Sequence, residues 1–244
     1  MWRQLRRIAA LLALALVALQ LGFALRIAVM APIDPRSTSF QRSEAWRLLT
    51  RSDRFGWAHQ WVDADAISPN LKRAVIASED AGFIDHDGVE WDAIEQALRR
   101  NQRAQERAAR AQARNPQRPV RIKVVGGSTI TQQLAKNLFL SGERTALRKA
   151  QELALTLMLE ALLGKQRILE IYLNHVEWGQ GLFGAQAAAR HYFGKDAARL
   201  GPQEAARLAV MLPAPKRFQK NPQSAYVSAR AATIVARMGA VQLP

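Results

Sequence analysis

From Ile8 to Leu25 the chain runs without a single charged side chain. Few folds accept such a stretch. Roughly 20 apolar residues cross a bilayer as a helix, and the run reaches that length once Arg26 snorkels and Ile27 to Met30 are included. A cleaved secretory signal would have a shorter apolar core and a small-x-small site at a polar boundary. Small-x-small triplets occur inside this run, but no polar boundary follows them. The pattern therefore predicts an uncleaved anchor within residues 1–30. Arg3, Arg6 and Arg7 precede it, and the positive-inside rule puts the amino end in the cytoplasm and the remainder outside.

The rest of the chain is long enough for one domain with a full core. With no cysteine, it has no disulfide, no thiol nucleophile and no thiolate metal site. The formal charge of +15 lies mostly beyond the anchor. A basic domain tied to a membrane is drawn to anionic headgroups and phosphate-bearing lipids. Nucleic acid is the usual alternative partner for such charge, and export across a membrane argues against it.

Residues 31–45 read as a polar, proline-marked linker, and residues 46–244 as one domain. Its pattern is helical almost throughout. Ser68-Pro69 opens a helix that ends near Asp80, and Val89 to Arg100 is a second. Residues 99–123 hold eight Arg, one Lys and one acid with few large apolar side chains, the composition of a mobile, solvated and partly helical segment. Contact with a membrane or with lipid phosphates is the functional alternative to a plain solvated charge run. Further helices are predicted from Thr145 to Leu163, Gln166 to Asn174, Ala185 to Tyr192, Gly201 to Leu212 and Ser224 to Met238. Strand signals are scarce, Arg121 to Val125 being the best, so the fold class is mainly α.

Three polar stretches stand out. In the first, Glu79 closes an apolar-faced helix, where the negative helix pole and burial both disfavour its charge. Such a carboxylate suits a general base near neutral pH, with Asp80 and His86 placed to orient it; alone, it reads equally as a last-turn Glu in a surface ion pair. In the second, Gly126-Gly127 frees the backbone before a helix, and Thr129 with Gln132 matches a Thr-x-x-Gln capping box. Gln132, Gln133, Lys136 and Asn137 then share one face above a helix amino end that favours phosphate. In the third, Arg148 and Glu152 stand one turn apart on a helix whose later turns are apolar nearly all round, which predicts burial. Arg148 can pair with Glu152 locally or hold a pyrophosphate, with Glu152 positioning a cation. Glu160, Glu170 and Asn174 read as structural bracing. The four histidines lack metal-ligand spacing, which argues against a His-bound zinc.

These stretches, with Lys165 to Asn174, resemble glycosyltransferase family 51, the peptidoglycan glycosyltransferases. The family's Glu-Asp-x-x-Phe-x-x-His-x-Gly is Glu79 to Gly88 here. Its Gly-Gly-Ser-Thr-Ile-Thr-Gln-Gln-x-x-Lys-Asn is Gly126 to Asn137, its Arg-Lys-x-x-Glu is Arg148 to Glu152, and its Lys-x-x-Ile-Leu-Glu-x-Tyr-Leu-Asn is Lys165 to Asn174. The likeness covers roughly residues 40–220 and the anchor, and the length resembles that of the family's monofunctional members.

The resemblance implies a lysozyme-like α-helical domain with a membrane-dipping region that polymerises lipid II into β-1,4 glycan strands, releasing undecaprenyl pyrophosphate. It implies Glu79 as the base on the acceptor's 4-hydroxyl. Lys136 and Arg148 would hold the donor's pyrophosphate, and Glu152 would assist the leaving group, with Mg²⁺ or another divalent ion as an optional partner. Asp80, Phe83, His86, Thr129, Gln132, Gln133 and Asn137 are expected among the substrate contacts. The expected setting is the inner membrane with the domain on the periplasmic side, working beside other cell-wall synthesis or division proteins. The basic segment 99–123 is longer than the family's usual connection. Two rival readings are a lysozyme-like hydrolase, with Glu79 as general acid, and an inactive membrane-tethered scaffold.

Overall fold

The computed structural model describes residues 1–51, 56–115, 127–143 and 145–244. Among these the protein is mainly helical. The first helix, α1 (Trp2–Val29), is long and apolar enough to cross a membrane. α2 (Ser39–Arg51) follows, then α3 (Pro69–Glu79), α4 (Trp91–Arg114), α5 (Ile130–Phe139) and α6 (Ala146–Leu162). The carboxyl half holds α7 (Lys165–His175), α8 (Ala185–Phe193), α9 (Pro202–Met211), the short α10 (Pro215–Phe218) and α11 (Ala225–Met238).

Local chemistry sets the ends of these helices. The Ser68 hydroxyl accepts from the Asn70 N–H with Pro69 at the first helical position, so α3 starts where the sequence predicts. α8 stops at Gly194, which takes the left-handed conformation at φ 65° that lets its N–H turn back onto the last carbonyls. α3 packs against α9 and α11, where Ala205, Ala206 and Ala209 are fully buried and their small side chains admit close approach. α5 lies against α2, α6 and α7. One continuous core, from Leu71 and Val75 through Leu134 and Leu155 to Ile234, joins the two groups.

The expected linker at residues 31–45 is only half a linker. Thr38 and Gln41 form a reciprocal cap, with the Thr38 N–H donating to Gln41 Oε1 at 2.9 Å and the Gln41 N–H donating to Thr38 Oγ1 at 3.0 Å. α2 therefore begins at Ser39, with Gln41 and Glu44 buried. The expected helix from Val89 to Arg100 continues to Arg114, because Ala, Gln and Arg are all good helix formers. The remainder of the basic segment, the expected strand at Arg121 to Val125 and Gly126 lie outside the described residues. A small sheet lies elsewhere: β1 (Ala58–His59) runs parallel to β3 (Leu182–Phe183), and β2 (Glu177–Gly179) runs antiparallel to β3.

α1 is not a free tether. Gln20 and Gln151 of α6 exchange amide hydrogen bonds at 2.9 and 3.1 Å. Phe23 meets Phe139 edge-on at 5.5 Å, and the Arg26 guanidinium lies 5.2 Å from the same ring. Below them Ile27 and Met30 enter the core, and Arg167 clamps the exit by donating to the Met30 carbonyl and pairing with Asp34.

Candidate active site

α3 delivers Glu79 from its last turn into a mostly buried position. Burial pushes its carboxyl pKa up, opposed by hydrogen bonds from Gln133 and Ser78. The charge of Asp80 adds to the rise and that of Lys136 opposes it. Gln133 Nε2 donates to Glu79 Oε2 at 3.0 Å, while Gln133 Oε1 accepts from the Tyr172 hydroxyl at 3.0 Å. Tyr172 is buried, so its hydroxyl fixes which end of the amide faces the carboxylate. Sequence reasoning placed Tyr172 in a motif without a role; its reach across to α5 depends on how α5 and α7 pack.

Asp80 and His86 are put to a different use from the expected one. The Gly88 N–H donates to His86 Nδ1 at 3.0 Å, which leaves Nε2 to carry the proton donated to Asp80 Oδ1 at 2.8 Å. Asp80 Oδ2 accepts from the Ile130 N–H at 2.9 Å, in the first turn of α5. The pair thus ties the loop after α3 to the start of α5. Phe83 is fully enclosed, with Lys165 Nζ 4.7 Å above its ring. Gly88, at φ 82°, lies so close to α6 that a Cβ there would stand 2.7 Å from Thr156 Cγ2.

The predicted capping box is present. The Gln132 N–H donates to Thr129 Oγ1 at 3.1 Å, and the Thr129 N–H donates to Gln132 Oε1 at 3.2 Å. The Thr129 hydroxyl also donates to the Gly88 carbonyl at 2.6 Å. Both side chains are buried; Thr129 joins α5 to the Gly88 loop, while Gln132 closes the cap and also lines the cleft between α5 and α6. Glu160, taken as structural, accepts from the Thr131 hydroxyl and from Lys165. Glu170 and Asn174 hold the backbone at Ala64 and Val62.

Between α5 and α6 opens a cleft of about 360 Å³ lined by Gln132, Gln133, Lys136, Asn137, Arg148 and Glu152. The capped end of α2 contributes Phe40, and the α5–α6 connection contributes Leu140 to Glu143. Neither was singled out in the sequence, because both reach the cleft only through tertiary packing. Glu152 is buried and bound twice, by Arg148 at 2.8 Å and by Lys149. Lys149 sits in the Arg-Lys-x-x-Glu pattern, and its reach to Glu152 emerges only in the folded helix. Lys136 faces the cleft with no hydrogen bond or ion pair among the described residues. Burial lowers its pKa; Arg148 and Lys149 push the same way, against Glu152 and Glu79. The buried Arg148 Nε–H likewise has no partner among the described residues.

This donor set suits an anion with several oxygens. It does not fit a protein-held divalent ion. Glu152 is already engaged by two cations, and a third faces the same space, whereas Mg²⁺ needs free oxygen ligands. The cluster Asp80, His86 and Glu90 also brings ligand atoms together. There both Asp80 oxygens and both His86 nitrogens already have protein partners.

The family described as Transglycosylase matches residues 48–239. Three curated relatives, each called biosynthetic peptidoglycan transglycosylase, are similar over most of the chain. The one from Bordetella pertussis is 53% identical over 211 residues, 86% of this chain and 82% of its own. The one from Paraburkholderia xenovorans is 50% identical over 236 residues, 96% of this chain and 91% of its own. The one from Burkholderia thailandensis is 52% identical over 228 residues, 93% of this chain and 83% of its own. The matched span contains the carboxylate of α3, the capped α5 and the cationic wall of α6, and the chain belongs to the transglycosylase family.

Proposed function

We propose that the protein polymerises lipid II into β-1,4-linked peptidoglycan strands at the outer face of the inner membrane, releasing undecaprenyl pyrophosphate. The observation that carries this reading is the cleft wall on which Lys136, Arg148 and Lys149 surround the buried carboxylate of Glu152, with Lys136 and Arg148 Nε lacking partners among the described residues. The names of the relatives and the membrane-length α1 support the same reading. Arg3, Arg6 and Arg7 before the span favour an outward-facing domain.

In this mechanism Glu79 takes the proton from the 4-hydroxyl of the acceptor sugar. That oxygen forms a bond to C1 of the donor sugar as the C1–oxygen bond to the pyrophosphate breaks. The electron pair leaves with the polyprenyl pyrophosphate. Preplaced cations stabilise this growing charge more than the bound ground state, which lowers the barrier. Glu152 keeps Arg148 and Lys149 extended toward the cleft. Lys136, Arg148 and Lys149 supply the positive charge that neutralises the leaving group.

The test is full-length protein with purified lipid II, read as glycan ladders sensitive to muramidase. Wild type yields digestible polymer. Glu79→Gln yields none, and Lys136→Met loses about 10²–10³-fold in kcat/KM, the usual cost of removing one preplaced electrostatic contact. Cleavage of preformed glycan without polymer formation refutes the proposal in favour of a hydrolase. Neither activity leaves the chain a scaffold.

A further inference from the structure

The cleft also holds an aromatic side chain to which the transfer step gives no task. Phe40 lines it together with Asn137, Leu140 and Ser141. Phe40 is half-buried, so it forgoes part of the burial energy that a core Phe gains. Its backbone is nevertheless fixed from both sides. It lies within the reciprocal cap of Thr38 and Gln41, and the Ser39 hydroxyl donates to the Leu138 carbonyl of α5 at 3.0 Å. Its ring meets the fully buried Phe183 of β3 edge-on at 6.1 Å, and the Trp57 ring lies 4.9 Å from Phe183 in turn. A side chain held this firmly at a wet cleft has lost its freedom before any ligand arrives, which lowers the entropic cost of binding.

The Ser39 bond sets Phe40 beside the carboxyl end of α5, the part of that helix that brings Asn137, Leu140 and Ser141 to the cleft. The Asn137 amide and the Ser141 hydroxyl have no hydrogen bond among the described residues. An apolar ring with an unspent amide and hydroxyl nearby matches a pyranose. Such a sugar has an apolar C–H face and a rim of hydroxyl and acetamido groups. A polyprenyl chain offers nothing to the amide or the hydroxyl, and a pyrophosphate offers nothing to the ring. Lys136, which lines the same cleft, immediately precedes Asn137, so the sugar joined to the pyrophosphate is the one within reach.

We propose that Phe40 is a sugar-recognising residue, its ring covering the C–H face of the donor's pyrophosphate-linked sugar while Asn137 takes the polar rim. This rests on the lipid II reading of the cleft and adds to it the residue that tells a sugar-bearing pyrophosphate from a bare one.

The test compares two ligands of full-length protein in detergent. Lipid II carries the sugar; undecaprenyl pyrophosphate shares the lipid and the phosphates but has none. Phe40→Leu keeps an apolar side chain and removes the flat face, and Phe40→Tyr keeps the ring. Phe40→Leu is expected to raise KM for lipid II about tenfold with kcat little changed, the pattern of a contact made equally in ground and transition states. Inhibition by undecaprenyl pyrophosphate should stay within about twofold of wild type, which also checks that the cleft remains folded. Phe40→Tyr should behave as wild type. Equal losses for the two ligands overturn the proposal, because the ring then serves the lipid or the shape of the cleft. Unchanged lipid II kinetics in Phe40→Leu overturn it too, as does Phe40→Tyr failing as badly as Phe40→Leu. Absence of polymer from wild type is a separate result, which refutes the lipid II reading itself.

Discussion

At the residue scale, Glu79 and Lys136 are opposed by the same physics. Burial raises the carboxyl pKa and lowers that of the ammonium, so each charged form is disfavoured where the proposed reaction needs it. Activity is therefore expected to fall on the acid side as Glu79 takes up its proton and on the alkaline side as Lys136 loses its own. Because the Gln133 bond lowers the Glu79 pKa, Gln133→Leu is expected to move the acid limb of the pH–rate profile upward. Tyr172→Phe, which frees the amide to turn, should move it the same way by less. An unmoved acid limb in Gln133→Leu would show that another group controls it. The sequence disclosed Glu79 through its place at a helix end, and Thr129 with Gln132 through their spacing. It did not disclose that Asp80 and His86 spend their polar atoms on each other and on the Ile130 and Gly88 backbone, because those bonds run across the fold.

At the scale of elements, α1 and α6 are joined by a reciprocal amide pair within an otherwise apolar span. Truncating one partner leaves the other's amide unpaired against an apolar helix, at a cost of about 1–2 kcal/mol at most for such pairs. Gln20→Leu and Gln151→Leu are each expected to lower unfolding stability in detergent, and the double variant should cost less than the two single effects combined. A strictly additive double-mutant cycle would show the pair to be uncoupled. Helix positions were readable from caps and periodicity, as with Ser68-Pro69 and Gly194. Two boundaries were not. The Thr38-x-x-Gln41 box was masked by the prolines around it, and α4 continued through a stretch that lacks the large apolar side chains usually taken to mark a helix. The strands of the small sheet are only two or three residues long, too short to leave a period-2 pattern.

At the scale of the whole molecule, another buried carboxylate sets how stability follows pH. Glu177, at the junction of α2, β2 and α10, has its pKa raised to about 7, chiefly by burial and despite Lys216 nearby. A raised folded-state pKa contributes stability below the unfolded value, and that contribution is lost as pH climbs from about 4.5 to about 7. Wild type is expected to lose about 1–3 kcal/mol over this window relative to Glu177→Gln. Parallel stability–pH curves for the two proteins would refute that assignment. The sequence announced a helix of membrane-crossing length, the mainly α fold and the family, because each is written in local pattern. It left open how anchor and domain meet, since that contact joins residues more than a hundred positions apart.

The docking of α1 onto α6 also changes how an encounter with substrate is counted. A cleft gripped to its own span does not sample the solution around it. For a polyprenyl-linked donor confined to the same bilayer, the search runs in two dimensions, and the governing quantity is molecules per unit area. Diluting vesicles in buffer should leave turnover per protein unchanged, while diluting the donor with inert lipid should slow it.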